Sequence, residues 1–236
     1  MKNNKQLLTG IKDGIPIALG YLAVSFALGI TAHNAGLSVF EATLMSVLNL
    51  TSAGEYAAIT MLANGTTYAE IAISQFIINI RYLLMSCSLS QKASKETSIA
   101  HRLGVSYGIT DEIFAVSVSR EGKLSPVHSY GMILISAFGW TLGTFLGAVF
   151  GDILPNSITN ALSVALYAMF IAIVIPPARK NKVIMWLVII SAFASWLFTV
   201  LPVVNQLSSG LRIIILTVTI SAVAAYLFPV KKEEEA

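Results

Sequence analysis

Charge is scarce in this sequence and cysteine nearly absent. Asp, Glu, Lys and Arg together make up 11% of the 236 residues, under half of the roughly 25% usual in soluble domains. So few charges cannot clothe a water-facing surface, which excludes an ordinary soluble fold. The single cysteine, Cys87, lies in a hydrophobic segment, so an intramolecular disulfide and a Cys-based metal site are both excluded. Catalytic signatures are missing too. No HExxH or GxSxG spacing occurs, and His33, His101 and His128 fall at segment ends or in loops, so an enzyme is not expected. Neither a cofactor nor a metal is implied.

What is present is apolar. Hydrophobic residues reach 56% and the mean hydropathy is +0.76. Near-chargeless stretches lie close to residues 15–33, 38–63, 67–90, 104–119, 128–150, 158–177, 183–201 and 209–229, several approaching the ~20 residues a helix needs to cross a bilayer. The reading is an all-α, polytopic integral membrane bundle, one transmembrane transport domain over 1–236. The amino terminus, with Lys2, Lys5 and Lys12 ahead of Asp13-Gly14-Ile15-Pro16, has no cleavage site, so the first segment is expected to stay.

Two segments are unsuited to simple spans. Asn49-Leu50-Thr51-Ser52-Ala53-Gly54-Glu55-Tyr56 interrupts the second, and the fourth is short and carries Asp111 and Glu112. Irregular backbone at membrane depth survives only where it is buried in protein or lines a cavity, and transport sites are built from it. Basic residues bear on topology, since Lys and Arg gather in cytoplasmic loops. Clusters occur at Lys2, Lys5 and Lys12, at Lys92, Lys95 and Arg102, at Arg120 and Lys123, at Arg179, Lys180 and Lys182, and at Lys231 and Lys232. If 38–63 and 104–119 both re-enter without crossing, all of them fall on one side, with both termini cytoplasmic. If both cross, only the cluster at Lys92 is misplaced. The asymmetry favours re-entry. The pI near 9.0 is thus a topology signal, not a nucleic-acid footprint.

Charge inside lipid is expensive and points to function. Arg81 sits deep in the third segment and requires a partner from among Glu55, Asp111 and Glu112, while Asn79 adds an amide that must be satisfied. These groups suggest a zwitterion site. Backbone N–H groups at an unwound helix suit a carboxylate, a neighbouring acid suits an ammonium, and Tyr21, Tyr56 and Phe114 are placed to enclose an apolar side chain. Expected substrate-binding residues are Ser52, Gly54, Glu55, Tyr56, Asn79, Arg81, Asp111 and Glu112. Gly139, Gly143, Gly147 and Gly151 recur every fourth position and predict a close contact between helices, internal rather than between subunits. A weak likeness between Gly10-Ile11-Lys12-Asp13 and Gly108-Ile109-Thr110-Asp111 hints at an internal repeat.

The chain resembles the AzlC-type branched-chain amino-acid permeases. The likeness rests on Asp13-Gly14-Ile15-Pro16, on Gly36-Leu37-Ser38 with Glu41-Ala42 and Met45-Ser46 leading to Ala53-Gly54-Glu55-Tyr56, on Asn79-Ile80-Arg81-Tyr82, and on Thr110-Asp111-Glu112-Ile113-Phe114-Ala115. The resemblance implies a multi-pass protein of the bacterial inner membrane. It implies export of leucine, isoleucine, valine and similar hydrophobic amino acids such as methionine, together with a small AzlD-type membrane subunit. Two positions depart from the family pattern. Glu55-Tyr56 stands where Gln-Phe is common, which opens either a different substrate or a proton-linked cycle, and Asn160 stands where an acid is common. The rival readings are a channel, against which the isolated charges argue, and a membrane-embedded structural or assembly subunit, which would explain the glycines but not the buried charges.

Overall fold

In the computed structural model the described residues are 2–94, 96–120, 122–151, 153, 171, 174–175, 178–201, 207 and 209–228. The hydrophobic segment at 158–177 and Asn160 lie largely or wholly outside them. Helices run over Lys2–Asn34 (α1), Val39–Leu48 (α2), Ser52–Ala63 (α3), Tyr68–Lys92 (α4), Ile99–Tyr107 (α5), Asp111–Ser119 (α6), Pro126–Phe150 (α7), Lys182–Val200 (α8) and Ser209–Leu227 (α9). Four of the described helices, α1, α4, α7 and α8, are long and apolar enough to cross a membrane. The chain is an all-α membrane protein.

Local chemistry sets the boundaries. α1 starts well ahead of the apolar stretch at residue 15 and runs through Pro16 to Asn34. It stops at Gly36, whose φ of 87° supplies the left-handed turn that lets Leu37 N–H reach the Ala32 carbonyl at 3.1 Å. α2 opens with a capping box. Ser38 Oγ accepts from Glu41 N–H at 3.2 Å, and Ser38 N–H donates back to the Glu41 carboxylate at 2.8 Å. α6 is capped by Thr110 and α7 by Ser125, with Pro126 in its first turn, where a missing N–H costs nothing.

Two compact units emerge, Met1–Ile59 with Asn79–Leu166, and Thr60–Ile78 with Tyr167–Ala236. In the second, α8 and α9 pack on one another. The first is organised by α1 and α7, whose seam is cut by glycine. A Cβ on Gly131 would lie 2.3 Å from the Leu7 carbonyl, on Gly139 2.5 Å from that of Ala18, on Gly143 2.5 Å from that of Leu22, and on Gly147 2.0 Å from that of Phe26. The glycine stripe is therefore an internal contact, and it extends to Gly131. Lipid tails are as apolar as leucine, so close van der Waals packing of this kind is what holds helices together in a bilayer. Because both sets of numbers rise together, α1 and α7 are parallel.

Both irregular segments turn back. A continuous helix would separate Ser46 from Glu55 by about 13 Å, yet their side chains are hydrogen bonded across the break at Asn49–Thr51. The second hairpin, α5 and α6, begins and ends at the same level. Leu124 N–H donates to the Lys92 carbonyl at 2.9 Å, and Lys92 Nζ donates to the carbonyls of Val118 at 2.6 Å and of Arg120. That level is the N-terminal end of α1, because Ser125 Oγ donates to Gln6 at 2.9 Å, and Arg120 and His128 lie 3.4 Å and 2.8 Å from Asp13 Oδ2. α2 instead follows directly from the opposite end of α1. Lys2, Lys5 and Lys12, Lys92 and Arg102, and Arg120 and Lys123 thus share one end of this unit. The four-residue likeness at Gly10 and Gly108 carries no structural repeat, since the first lies inside α1 and the second at a break.

Candidate functional site

The tips of the two hairpins meet against α1, α4 and α7. Leu50 and Ser52 from the first, and Thr110, Asp111 and Glu112 from the second, line one cavity with Tyr21, Tyr82 and Trp140. Each tip ends in a helix N-terminus, and acids occupy the first turn of both, Glu55 in α3 and Asp111 with Glu112 in α6. Negative charge there is favoured by the positive end of the helix dipole.

Polar contacts form two clusters. In the first, Arg81 Nη1 lies 3.0 Å from Asp111 Oδ2, the side chains being 40% and 31% exposed. Arg81 also lies against Tyr82, its guanidinium carbon 5.2 Å from the ring centre. The Tyr21 hydroxyl sits 2.5 Å from Glu112 Oε2 and 2.6 Å from Thr110 Oγ1. The second cluster is sealed. Glu55 is 0% exposed, accepts from Ser46 Oγ at one carboxyl oxygen, and accepts from Trp140 Nε1 at the other at 2.9 Å. Ser46 Oγ and Thr144 Oγ1 are 2.7 Å apart, and Thr144 also reaches the Trp140 carbonyl at 3.3 Å. Edge-to-face contact between Tyr21 and Trp140, 5.3 Å between centroids, joins the clusters.

Of the residues expected from sequence, Ser52, Asp111 and Glu112 line the cavity, and Arg81 joins it through Asp111. Glu55 lies behind Trp140 in the sealed cluster, and Gly54, Tyr56 and Asn79 are not among the lining residues. Arg81 takes Asp111, not Glu55, as its partner, because the fold-back at Asn49–Thr51 turns Glu55 toward α7. Phe114 is not at the cavity either. It packs on the cluster of Leu89, Val105 and Ile109, on the far side of α6. Trp140 and Thr144 carry no signal in the sequence, and Ser46 and Thr110 enter there only as part of the family resemblance, not as site residues. Serine, threonine and tryptophan in an apolar helix carry no mark of function until the rotation of that helix is known. Among the described residues no group of three His, Cys, Asp or Glu side chains is placed to hold a metal.

The family described as AzlC protein matches residues 16–154, more than half of the chain. The chain belongs to the AzlC family. The matched stretch of this AzlC-family protein contains both hairpin tips, Arg81 and α7. It is 26% identical to the Inner membrane protein YgaZ of Escherichia coli (strain K12) over 204 residues, 83% of each chain. It is 33% identical to an Uncharacterized membrane protein of Archaeoglobus fulgidus over 177 residues, 74% of this chain and 77% of the other. It is 24% identical to the Branched-chain amino acid transport protein AzlC of Bacillus subtilis (strain 168) over 171 residues, 71% of this chain and 66% of the other. No solved structure matches.

Proposed function

We propose that this AzlC-family protein exports hydrophobic amino acids, leucine, isoleucine, valine and methionine, from the bacterial cytoplasm. All 236 residues act as one transport domain in the inner membrane, with both termini cytoplasmic and a small AzlD-type membrane subunit as partner. The observation that carries the reading is the Arg81–Asp111 ion pair beside the cavity where the two broken segments meet. Such a pair is costly in lipid and is retained where charge must be handled at depth.

The pair suits a zwitterion. A substrate carboxylate displaces Asp111 from Arg81, and the substrate ammonium takes the freed Asp111 with Glu112 beside it, so that Arg81 and Asp111 each keep a counter-ion. Tyr21 holds Glu112 in position, and Tyr82 and Trp140 offer apolar faces to the side chain. The same lining supports alternating access over an open pore. The cavity between the tips is about 10 Å³, room for about one water, so an amino acid enters only when the hairpins part. The named relative from Bacillus subtilis supports the substrate class.

Efflux of preloaded radiolabelled leucine from cells or vesicles tests the reading. Wild-type protein is expected to export it, and Arg81→Ala protein, shown to be membrane-inserted and folded, to export at background rate. Equal export by the two removes Arg81 from the site. No leucine export by wild type, with and without the small subunit, favours an assembly role instead.

A further inference from the structure

Glu55 has no task in the zwitterion exchange, yet it is the most enclosed acid among the described residues. Its neighbours come from every element packed on it. α2 gives Ser46, α7 gives Trp140 and Thr144, and Tyr21 of α1 lies edge-on to Trp140, with Glu112 and the Arg81–Asp111 pair beyond it. Among the described residues no Lys, Arg or His pairs with Glu55. A buried carboxylate without a cation costs several kcal/mol unless its surroundings can hydrogen bond it.

The surroundings accommodate both protonation states. With Glu55 ionised, Ser46 donates to one oxygen, Trp140 to the other, and Thr144 donates to Ser46 or to the Trp140 carbonyl. With Glu55 protonated, its O–H donates to Ser46, Ser46 donates to Thr144, and Thr144 donates to the Trp140 carbonyl. The Ser46 hydroxyl reverses direction and no donor or acceptor is orphaned. The network is two-way, and it links α2 to α7 at the point where the first hairpin must part from the seam.

We propose that Glu55 is the proton carrier of the transport cycle, with Ser46 and Thr144 as the hydroxyls that rearrange to hold its ionised and protonated forms. This rests on the export reading above. One proton binds the Glu55 carboxylate from the outer side while the site faces outward, and leaves it to the cytoplasm after the amino acid has gone, so proton entry drives export.

Purified full-length protein in vesicles separates coupling from transport. Leucine-for-leucine exchange at equal pH on both sides reads transport alone, and net leucine flux under an imposed pH gradient reads coupling. Wild type is expected to exchange and to be accelerated at least tenfold by the gradient, with proton movement seen by an entrapped pH dye. Glu55→Gln is expected to keep exchange and lose the acceleration and the dye signal. Thr144→Val, which keeps shape and removes the hydroxyl that accepts from Ser46 when Glu55 is protonated, is expected to keep exchange and cut the acceleration severalfold, a check that stands even if Glu55→Gln fails to fold. The proposal is overturned if Glu55→Gln responds to the gradient as wild type does, if Thr144→Val does so while Glu55→Gln is unfolded, or if wild type exchanges without responding. Absence of exchange in wild type overturns the export reading itself.

Discussion

The two polar clusters sit on either side of Trp140 and differ in almost every respect. Around Arg81 and Asp111 the charges are opposite in sign, partly open, and held by an ion pair. Around Glu55 there is one acid, no cation, no exposure, and a set of hydroxyl and indole donors. In the proposed cycle the open cluster exchanges its partners for a zwitterion and the sealed one exchanges a proton. The fold makes the two by bringing two half-helix N-termini to one place and turning one acid inward.

The comparison can be sharpened by substitution. Asp111→Ala leaves the Arg81 guanidinium without its counter-ion, and export is expected to fall by roughly tenfold or more, each tenfold corresponding to about 1.4 kcal/mol. Leucine efflux at matched expression measures it, and thermal unfolding in detergent is expected to change little. Trp140→Phe reverses the pattern. It removes a donor from a fully buried carboxylate, a loss of about 1–3 kcal/mol, so the unfolding temperature falls clearly. Tyr21→Phe, which takes the hydroxyl from Glu112 and Thr110, is expected to slow export only severalfold, near the roughly 1 kcal/mol of one hydrogen bond. Ser52→Ala, at the edge of the cavity, is expected to alter the efflux rate by less than about twofold, since surface-like contacts contribute within about 0.5 kcal/mol. If Asp111→Ala and Trp140→Phe affect stability and transport alike, the division between open and sealed clusters fails.

Much of this arrangement was legible in the sequence because lipid makes errors expensive. Asn49 to Tyr56 in an apolar stretch, a short segment with Asp111 and Glu112, and Arg81 far from any headgroup each violate the rules for a plain span. The glycine stripe likewise announced a close contact, though not that α1 supplies the opposing carbonyls. What could not be read was pairing. Whether Arg81 meets Asp111 or Glu55 depends on the direction in which α3 leaves the break, and that follows from Ser46 and Thr144, small polar residues indistinguishable from packing. Phe114 fell on the wrong face for a related reason, since the rotation of a nine-residue helix (α6) is set by its cap at Thr110 and by what Ile113 packs on, not by its own composition.

Everything depends on the hairpins turning back, and cysteine labelling measures that directly. In a Cys87→Ser background, single cysteines at Asn34, Asn64, Glu96 and Lys123 are exposed in turn to a membrane-impermeant maleimide from each side of oriented vesicles. The account predicts that Asn34→Cys and Asn64→Cys react from one side, and Glu96→Cys and Lys123→Cys from the other. Labelling of the Asn34 and Asn64 positions from opposite sides, or of Glu96 and Lys123 from opposite sides, would show a full crossing between them and contradict it.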